Sequence, residues 1–209
     1  MKIYIYGDSN TEGYDPFGYP DYFYPEESIW PRILQRELGD GFQVVSDGVC
    51  GRCIPDEGYP MDLLVRRMRR EMPIDIFAVM LGTNDYLNMR QGDVRIVAES
   101  MRLFVTELRE KFAEEESQSG NGNALPEIII IYPPRIRIPG LSPLSFQEQD
   151  EAWRKAFSAV CEKTGCIMAD ATSLELPLAA DGVHLSMEGH KMLGERAAEF
   201  VRHFAGIDK

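Results

Sequence analysis

A serine, a histidine and an aspartate in this sequence have the types and spacing that acyl transfer requires. Ser9 lies in the polar run Gly7-Asp8-Ser9-Asn10, and near the other end of the chain Asp181 precedes His184 by three residues. A serine hydroxyl is a weak nucleophile until an imidazole takes its proton, and the imidazole needs a carboxylate that holds its tautomer. We therefore predict Ser9 as nucleophile, His184 as general base and then acid, and Asp181 as the residue that orients the imidazole.

Such a reaction also needs hydrogen-bond donors for the negatively charged oxygen of its tetrahedral intermediate. The backbone N–H groups of Ser9 and Gly51 and the side-chain amide of Asn84 are candidates. Glycine at position 51 permits close approach of the backbone to a ligand. These three residues are the predicted oxyanion hole.

Alternating strand and helix patterns predict how the chain would bring these residues together. Strands are predicted at Ile3–Tyr6, Phe42–Val45, Ile74–Leu81, Ile128–Tyr132 and Ile167–Ala169. Apolar residues at helical spacing lie at Trp30–Leu38, Met61–Met72, Val97–Phe112, Trp153–Cys161 and Leu193–Phe204. Strands alternating with helices favour parallel pairing through right-handed crossovers, and hence a three-layer α/β/α sandwich with a five-stranded parallel sheet. Ligands bind beyond the carboxyl ends of such strands, so the candidate residues are expected to converge at one edge.

Local signals refine these elements. Ser28 is predicted to cap the helix that begins near Trp30, and Gly39 to end it. The acidic run Glu114–Glu116 is expected to end the longest helix before a surface loop at Ser117–Asn123. A cluster of basic residues is expected on a solvated helix face: Arg66, Arg67, Arg69 and Arg70.

Four short segments together resemble the blocks of the SGNH (GDSL) hydrolases. They are Gly7-Asp8-Ser9-Asn10, Gly51, Gly82-Thr83-Asn84-Asp85 and Asp181-Gly182-Val183-His184, in the family's order and each after its expected strand. Trp30, the run Met80–Asp85 and Pro133-Pro134 further resemble the arylesterase-like branch. The resemblance spans nearly the whole chain, and it implies a flavodoxin-like sheet, a serine esterase mechanism and no metal.

The sequence departs from the family pattern at two places. Asn10 stands where many members carry leucine, and Asp47–Cys53 stands where small residues and threonine are commoner. Both departures bear on substrate preference more than on chemistry. Gly48 is a second candidate for the oxyanion glycine, although Gly51 better matches the final glycine of the motif.

Structural roles compete with these assignments. Ser9 could be a turn hydroxyl and Asn84 a helix cap. A zinc site built from Asp181, His184 and His190 is an alternative, but it leaves Ser9 and Asn84 without a role. The chain has neither a G-x-S-x-G elbow, nor a P-loop, nor a dinucleotide fingerprint, so no cofactor is expected.

The remaining histidines and the cysteines are given structural roles. His203 lies near the end of the last helix, where a cation interacts favourably with the helix dipole, and His190 lacks a carboxylate at catalytic spacing.

Four cysteines raise the possibility of a zinc or redox site: Cys50, Cys53, Cys161 and Cys166. Cys53 is followed by Ile54 and Pro55 instead of a helix, and the second pair lacks ribbon spacing, which favours buried or incidental thiols.

Composition limits the classes of partner. The 209 residues carry 22 Lys+Arg against 34 Asp+Glu, a formal net charge of −12. This excess repels phosphate backbones, so neither nucleic acid nor anionic membrane is an expected partner. The sequence shows neither an apolar stretch long enough to span a membrane nor a secretory signal, so we predict one cytoplasmic domain over residues 1–209.

An aromatic segment follows the serine block: Tyr14, Phe17, Tyr19, Tyr22, Phe23 and Tyr24. It has neither helical nor strand periodicity, so its rings either line a pocket, cover a subunit contact in a homo-oligomer, or pack among themselves. We predict Asn10, Tyr19, Tyr22 and Phe23 as substrate-binding residues that leave room for a short acyl group.

The predicted function is that of a serine esterase, which hydrolyses small carboxylic esters through an acyl-enzyme. A carbohydrate O-deacetylase, a thioesterase and a non-catalytic binding domain of the same fold are the alternatives.

Overall fold

A computed structural model describes residues 1–18, 20–88, 92–119, 125–169 and 175–207. The strands are β1 (Lys2–Gly7), β2 (Gln43–Gly48), β3 (Ile76–Met80), β4 (Glu127–Ile131) and β5 (Ile167–Ala169). The helices are α1 (Ser9–Glu12), α2 (Trp30–Leu38), α3 (Tyr59–Glu71), α4 (Thr83–Asn88), α5 (Val94–Ser119), α6 (Phe146–Thr164) and α7 (Met187–Phe204). Within the described ranges, no helix combines the length and the apolar character needed to cross a membrane.

The five strands form one parallel sheet in the order β2-β1-β3-β4-β5. This order confirms the predicted flavodoxin-like α/β fold. Gly7 at the end of β1 pairs with Gly48 of β2 and with Met80 of β3, and Ile131 of β4 pairs with Ala169 of β5. The segments that leave these strands therefore start from one edge of the sheet.

Alternate residues of the central strands face two separate apolar layers. Tyr4 and Phe77 stack on one face, with ring centroids 6.1 Å apart, and pack with residues of α3, α5 and α6. Ile5 and Ile129 lie on the other face and pack with α2 and α7. The sheet is thus the middle layer of the predicted sandwich.

Two helix boundaries differ from prediction. The acidic run Glu114–Glu116 does not end α5, which continues to Ser119, because glutamate is a good helix former. The expected loop at Ser117–Asn123 is therefore wrong for its first three residues, and 120–124 lie outside the described residues. Ser28 is not the N-cap of α2; Ile29 is, and it makes no side-chain capping bond.

The first N–H of α2 finds its partner elsewhere. The Trp30 N–H donates to Nδ1 of His190 in α7, at 3.3 Å. That contact supplies an acceptor to a helix start that has no local capping side chain. The end of α2 at Gly39 agrees with prediction.

The basic cluster of α3 is only partly solvated, which corrects the prediction. Arg66 and Arg70 are exposed. Arg67 instead binds the carboxylate of Asp47 at 2.9 Å and 3.0 Å, and Arg69 stacks over the Phe112 ring. Arginine can bury its stem and guanidinium face against aromatic surface, so charge alone did not predict this placement.

Candidate active site

Ser9 is the first residue of α1, and only Asp8 separates it from the end of β1. The side chain of Asp8 caps this short helix by accepting the Asn10 N–H at 2.9 Å. The tight turn depends on Gly7, because a Cβ there would lie 2.0 Å from Oγ1 of Thr11. The serine hydroxyl is thereby held at the carboxyl edge of the sheet.

Ser9, His184 and Asp181 form a continuous hydrogen-bonded chain. Nε2 of His184 lies 3.0 Å from Oγ of Ser9, and Nδ1 lies 2.5 Å from Oδ2 of Asp181. The other carboxylate oxygen of Asp181 accepts the N–H groups of Val183 and His184. The structure therefore brings together the three residues that the sequence separates by up to 175 positions.

The environment of Asp181 favours its charged form. Burial alone would raise the pKa of this carboxyl, but bonds from the His184 ring and from the Val183 and His184 N–H groups lower the pKa below its usual value. An ionised Asp181 holds the proton of His184 on Nδ1. Nε2 is then the acceptor that faces the serine hydroxyl.

Asn84 follows β3 and Gly51 follows β2, so both lie at the same edge of the sheet. Asn84 is in α4, and its amide donates to the carbonyl of Arg52 at 3.0 Å. Gly51 has φ of 75°, a left-handed conformation that glycine adopts without strain. The loop is also held by Asp85, whose carboxylate accepts the Ile54 N–H.

Arg52 is a site-supporting residue that the sequence analysis missed. Its guanidinium donates to the carbonyl of Gly7 at 2.9 Å and to the carbonyl and carboxylate of Asp47. It also stacks 4.0 Å from the centroid of the Tyr6 ring. Arg52 therefore ties the ends of β1 and β2 together while its own carbonyl holds Asn84. Its position directly after Gly51, a predicted oxyanion residue, is the sequence feature that could have identified it.

Asp47 is the carboxylate on which this support depends. It accepts from Arg52, from Arg67 and from the Tyr4 hydroxyl. Burial opposes its ionisation, but these bonds lower the pKa of Asp47 below its usual value. The paired charge keeps the ends of the two strands fixed at neutral pH.

Asn10 is placed differently from its predicted role as a substrate contact. The side chain is 1% exposed, and its amide bonds to the backbone of Val183 and Leu185. The expected contact with substrate is not supported, since both ends of the amide face protein backbone.

The aromatic segment lies against the histidine. The Tyr14 ring is 4.7 Å from that of His184, measured between centroids. Tyr14 pairs with Phe23 through an isolated antiparallel bridge, and its ring also contacts those of Tyr22 and Phe23. Tyr22 and Phe23 are partly exposed, and Tyr19 lies outside the described residues.

The other candidate ligands do not form a metal centre. Among the residues that the structure describes, no group of three or more His, Cys, Asp and Glu side chains could hold a metal ion. His190 is fully buried, and burial lowers its pKa to about 4, so it is neutral beside Trp30. The four cysteines are free thiols, and burial raises the pKa of Cys161 to about 12.

A cavity of about 460 Å³ lies away from these residues, between the sheet and α7. Its lining includes Ala78, Ile129, Ile131 and Ala197. Neither Ser9, His184, Asp181 nor Asn84 lines it.

Comparison with known proteins identifies the class. The model of the GDSL-like lipase/acylhydrolase family matches residues 5–192, and the chain belongs to this family. No curated protein sequence matches the chain.

Solved structures agree with this class. An inhibitor-bound aryl esterase from M. smegmatis is 25% identical, with a TM-score of 0.76 over 97% of this chain and 99% of that chain. Est24, a carbohydrate acetylesterase from Sinorhizobium meliloti, is 22% identical, with a TM-score of 0.77 over 98% and 99% of the two chains. The protein is a carboxylic ester hydrolase of the SGNH/GDSL type.

Proposed function

We propose that this protein hydrolyses small carboxylic esters with short acyl groups through an acyl-enzyme intermediate on Ser9. The observation that carries the proposal is the hydrogen-bonded chain from Ser9 through His184 to Asp181. A nucleophile, its base and an orienting carboxylate at these distances form an acyl-transfer site.

The reaction runs in two halves. Nε2 of His184 takes the hydroxyl proton as Oγ of Ser9 bonds to the ester carbonyl carbon. The tetrahedral intermediate collapses, the bond to the alcohol oxygen breaks, and His184 returns the proton to that alcohol. Water then attacks the acyl-enzyme with His184 again as base, which releases the carboxylic acid and restores Ser9. Asp181 stabilises the imidazolium in both halves.

Three donors support the oxyanion in this proposal. The Ser9 N–H belongs to the first turn of α1, where helical N–H groups lack partners within the helix. An amide nitrogen carries two protons, so the bond from Asn84 to Arg52 leaves one for the substrate. Gly51, on the adjoining loop, supplies the third donor.

The aromatic segment sets the proposed limit on acyl length. Tyr14 covers one side of the His184 ring, and Tyr22 and Phe23 pack against Tyr14. The Tyr14 ring, this close to the base, restricts the space beside Ser9, and the two rings packed on it extend the proposed wall. Tyr22 and Phe23 are therefore the proposed substrate-binding residues of this segment.

The first test removes the nucleophile and the base. Ser9→Ala and His184→Ala should each abolish hydrolysis of p-nitrophenyl acetate while the circular dichroism spectrum stays unchanged, because the two residues act as one unit. Asn84→Ala should lower kcat by about 10²- to 10³-fold with a smaller change in KM.

A fluorophosphonate probe should label wild-type Ser9. If the probe does not label the folded wild-type protein, a non-catalytic binding domain is favoured. If the Ser9→Ala variant is active, Ser9 is not the nucleophile.

The second test measures acyl preference. Rates on p-nitrophenyl esters should fall steeply from acetyl or butyryl to octanoyl, and Tyr22→Ala or Phe23→Ala should flatten this slope. Phe17→Ala is the matched control, since Phe17 is the most exposed aromatic residue described in the segment. A wild-type optimum at octanoyl, or an equal effect of Phe17→Ala, would contradict the proposed wall.

The proposed setting is the cytoplasm, with a small neutral ester as the partner. The net charge of −12 disfavours anionic polymers and surfaces. Cell fractionation with the untagged chain tests this location.

A further inference from the structure

We propose that Asn10 is a positioning residue that sets the distance between Ser9 and His184. Its side chain links the helix that carries the serine to the loop that carries the histidine. The inference rests on the proposed function, in which Ser9 and His184 act together.

The bonds of Asn10 flank the histidine on both sides. The Leu185 N–H donates to Oδ1 of Asn10 at 2.8 Å, and Nδ2 of Asn10 lies 3.4 Å from the carbonyl oxygen of Val183. Val183 and Leu185 are the neighbours of His184 in the chain. One amide therefore holds the peptide groups before and after the histidine.

The other end of this link is the nucleophile's own helix. Asn10 directly follows Ser9, and its N–H is fixed by the carboxylate of Asp8 at 2.9 Å. The Asn10 side chain is almost completely buried, so it has little freedom to move. A buried amide of this kind is costly to leave unpaired, which favours retention of both bonds.

Other backbone bonds of the histidine loop have different anchors. The His184 carbonyl accepts the Ala179 N–H at 2.7 Å within the loop itself. The Gly182 carbonyl accepts the Arg137 N–H at 2.7 Å, from the segment after β4. These bonds fix the shape of the loop and its place beside β4, whereas the Asn10 bonds fix its distance from α1.

Removal of the Asn10 bonds should therefore slow the chemical step and leave substrate binding unchanged. A base displaced by about 1 Å from its nucleophile loses on the order of 10²-fold in rate. Asn10 has no face toward substrate, so KM should stay near its wild-type value. The expected fall in kcat is about 10- to 100-fold.

The experiment compares two ways of removing the amide. Asn10→Leu keeps the branched shape and removes both bonds, and Asn10→Ala removes them without added bulk. Both should lower kcat on p-nitrophenyl acetate and the rate of fluorophosphonate labelling in parallel, with KM unchanged. If one variant does not fold, the other gives the result.

Thr11→Val is the matched control. Thr11 is the next residue of α1, it is fully buried, and its hydroxyl has no hydrogen-bond partner among the described residues. Valine has nearly the same shape, so this variant perturbs the same helix without touching the histidine loop and should keep wild-type kcat. A wild-type kcat in either folded Asn10 variant, or an equal loss in Thr11→Val, would overturn the inference.

Ser9→Ala separates this inference from the proposed function. An inactive Ser9→Ala together with a fully active Asn10→Leu would reject only the role of Asn10. An active Ser9→Ala would reject the proposed function itself.

Discussion

Asp8 is a buried carboxyl directly before the candidate nucleophile. Burial raises its pKa to about 7, the Asn10 N–H opposes that rise, and the nearby Asp85 adds to it. The group therefore titrates near neutrality in the folded protein, whereas its ordinary value is 3.8. Through this difference Asp8 contributes to the pH dependence of folding stability.

Asp8→Asn should remove that dependence. Above about pH 4 the unfolded chain releases the proton that the folded chain keeps up to about pH 7, so the Asp8 contribution to stability is present at low pH and lost as pH rises. The free energy of unfolding of Asp8→Asn, relative to wild type, should rise by about 4 kcal/mol from pH 4 to pH 8. Asparagine still caps α1. Urea unfolding of both proteins across this range measures the difference, and parallel profiles would contradict the buried titration.

Residue type and spacing were sufficient to predict the contacts among Ser9, His184 and Asp181. They were not sufficient for Asn10, because a short polar residue beside a nucleophile can face either substrate or backbone. Its direction is decided by Val183 and Leu185, more than 170 residues away in the chain. These partners are backbone groups, which every residue carries, so residue types leave no signal of the bond.

Helix α1 packs directly on the end of β2. A Cβ at Gly48 would lie 2.4 Å from the Glu12 backbone nitrogen, whereas one at Gly51 would meet nothing within 4 Å. Gly48, at the end of β2, and Gly51, on the loop that follows, therefore serve different purposes. Gly48 allows close packing of backbone, and Gly51 allows a left-handed turn.

Gly48→Ala and Gly51→Ala should separate these purposes. Gly48→Ala forces α1 away from β2 and should cost at least about 2 kcal/mol of unfolding free energy. Gly51→Ala meets no atom and should cost about 1 kcal/mol, the strain of a left-handed alanine. Guanidinium unfolding of both variants checks the order, and equal losses would contradict the packing role of Gly48.

Periodicity predicted the type of the long elements better than their ends. The Ser145–Glu148 capping box starts α6 seven residues before Trp153, where the apolar stripe begins. In α2, a ring nitrogen of His190 replaces the expected Ser28 cap. Apolar stripes report the buried face of a helix, whereas its first turn depends on caps that local sequence shows only in part.

The layer between the sheet and α7 contains unfilled space. The cavity of about 460 Å³ is bordered by Ala78 on β3, Ala169 on β5 and Ala197 on α7. Alanine at facing positions leaves space that larger side chains would occupy. The strand order and layer assignment were predictable from the alternation of elements, but this gap was not, because it depends on which small residues face one another.

Ala197→Leu and Ala198→Leu should therefore have opposite effects on stability. The two positions are adjacent in α7, and leucine and alanine have similar helix propensity, so packing decides the outcome. Ala197 lines the cavity and is partly exposed, so leucine there should add about 0.5–2 kcal/mol to the free energy of unfolding. Ala198 is fully buried and does not line the cavity, so leucine there should cost about 1–3 kcal/mol. Urea unfolding measures both changes, and hydrolysis of p-nitrophenyl acetate by Ala197→Leu should equal that of wild type, since the cavity lies apart from Ser9. A destabilised Ala197→Leu would mean that the space is already occupied in the folded protein.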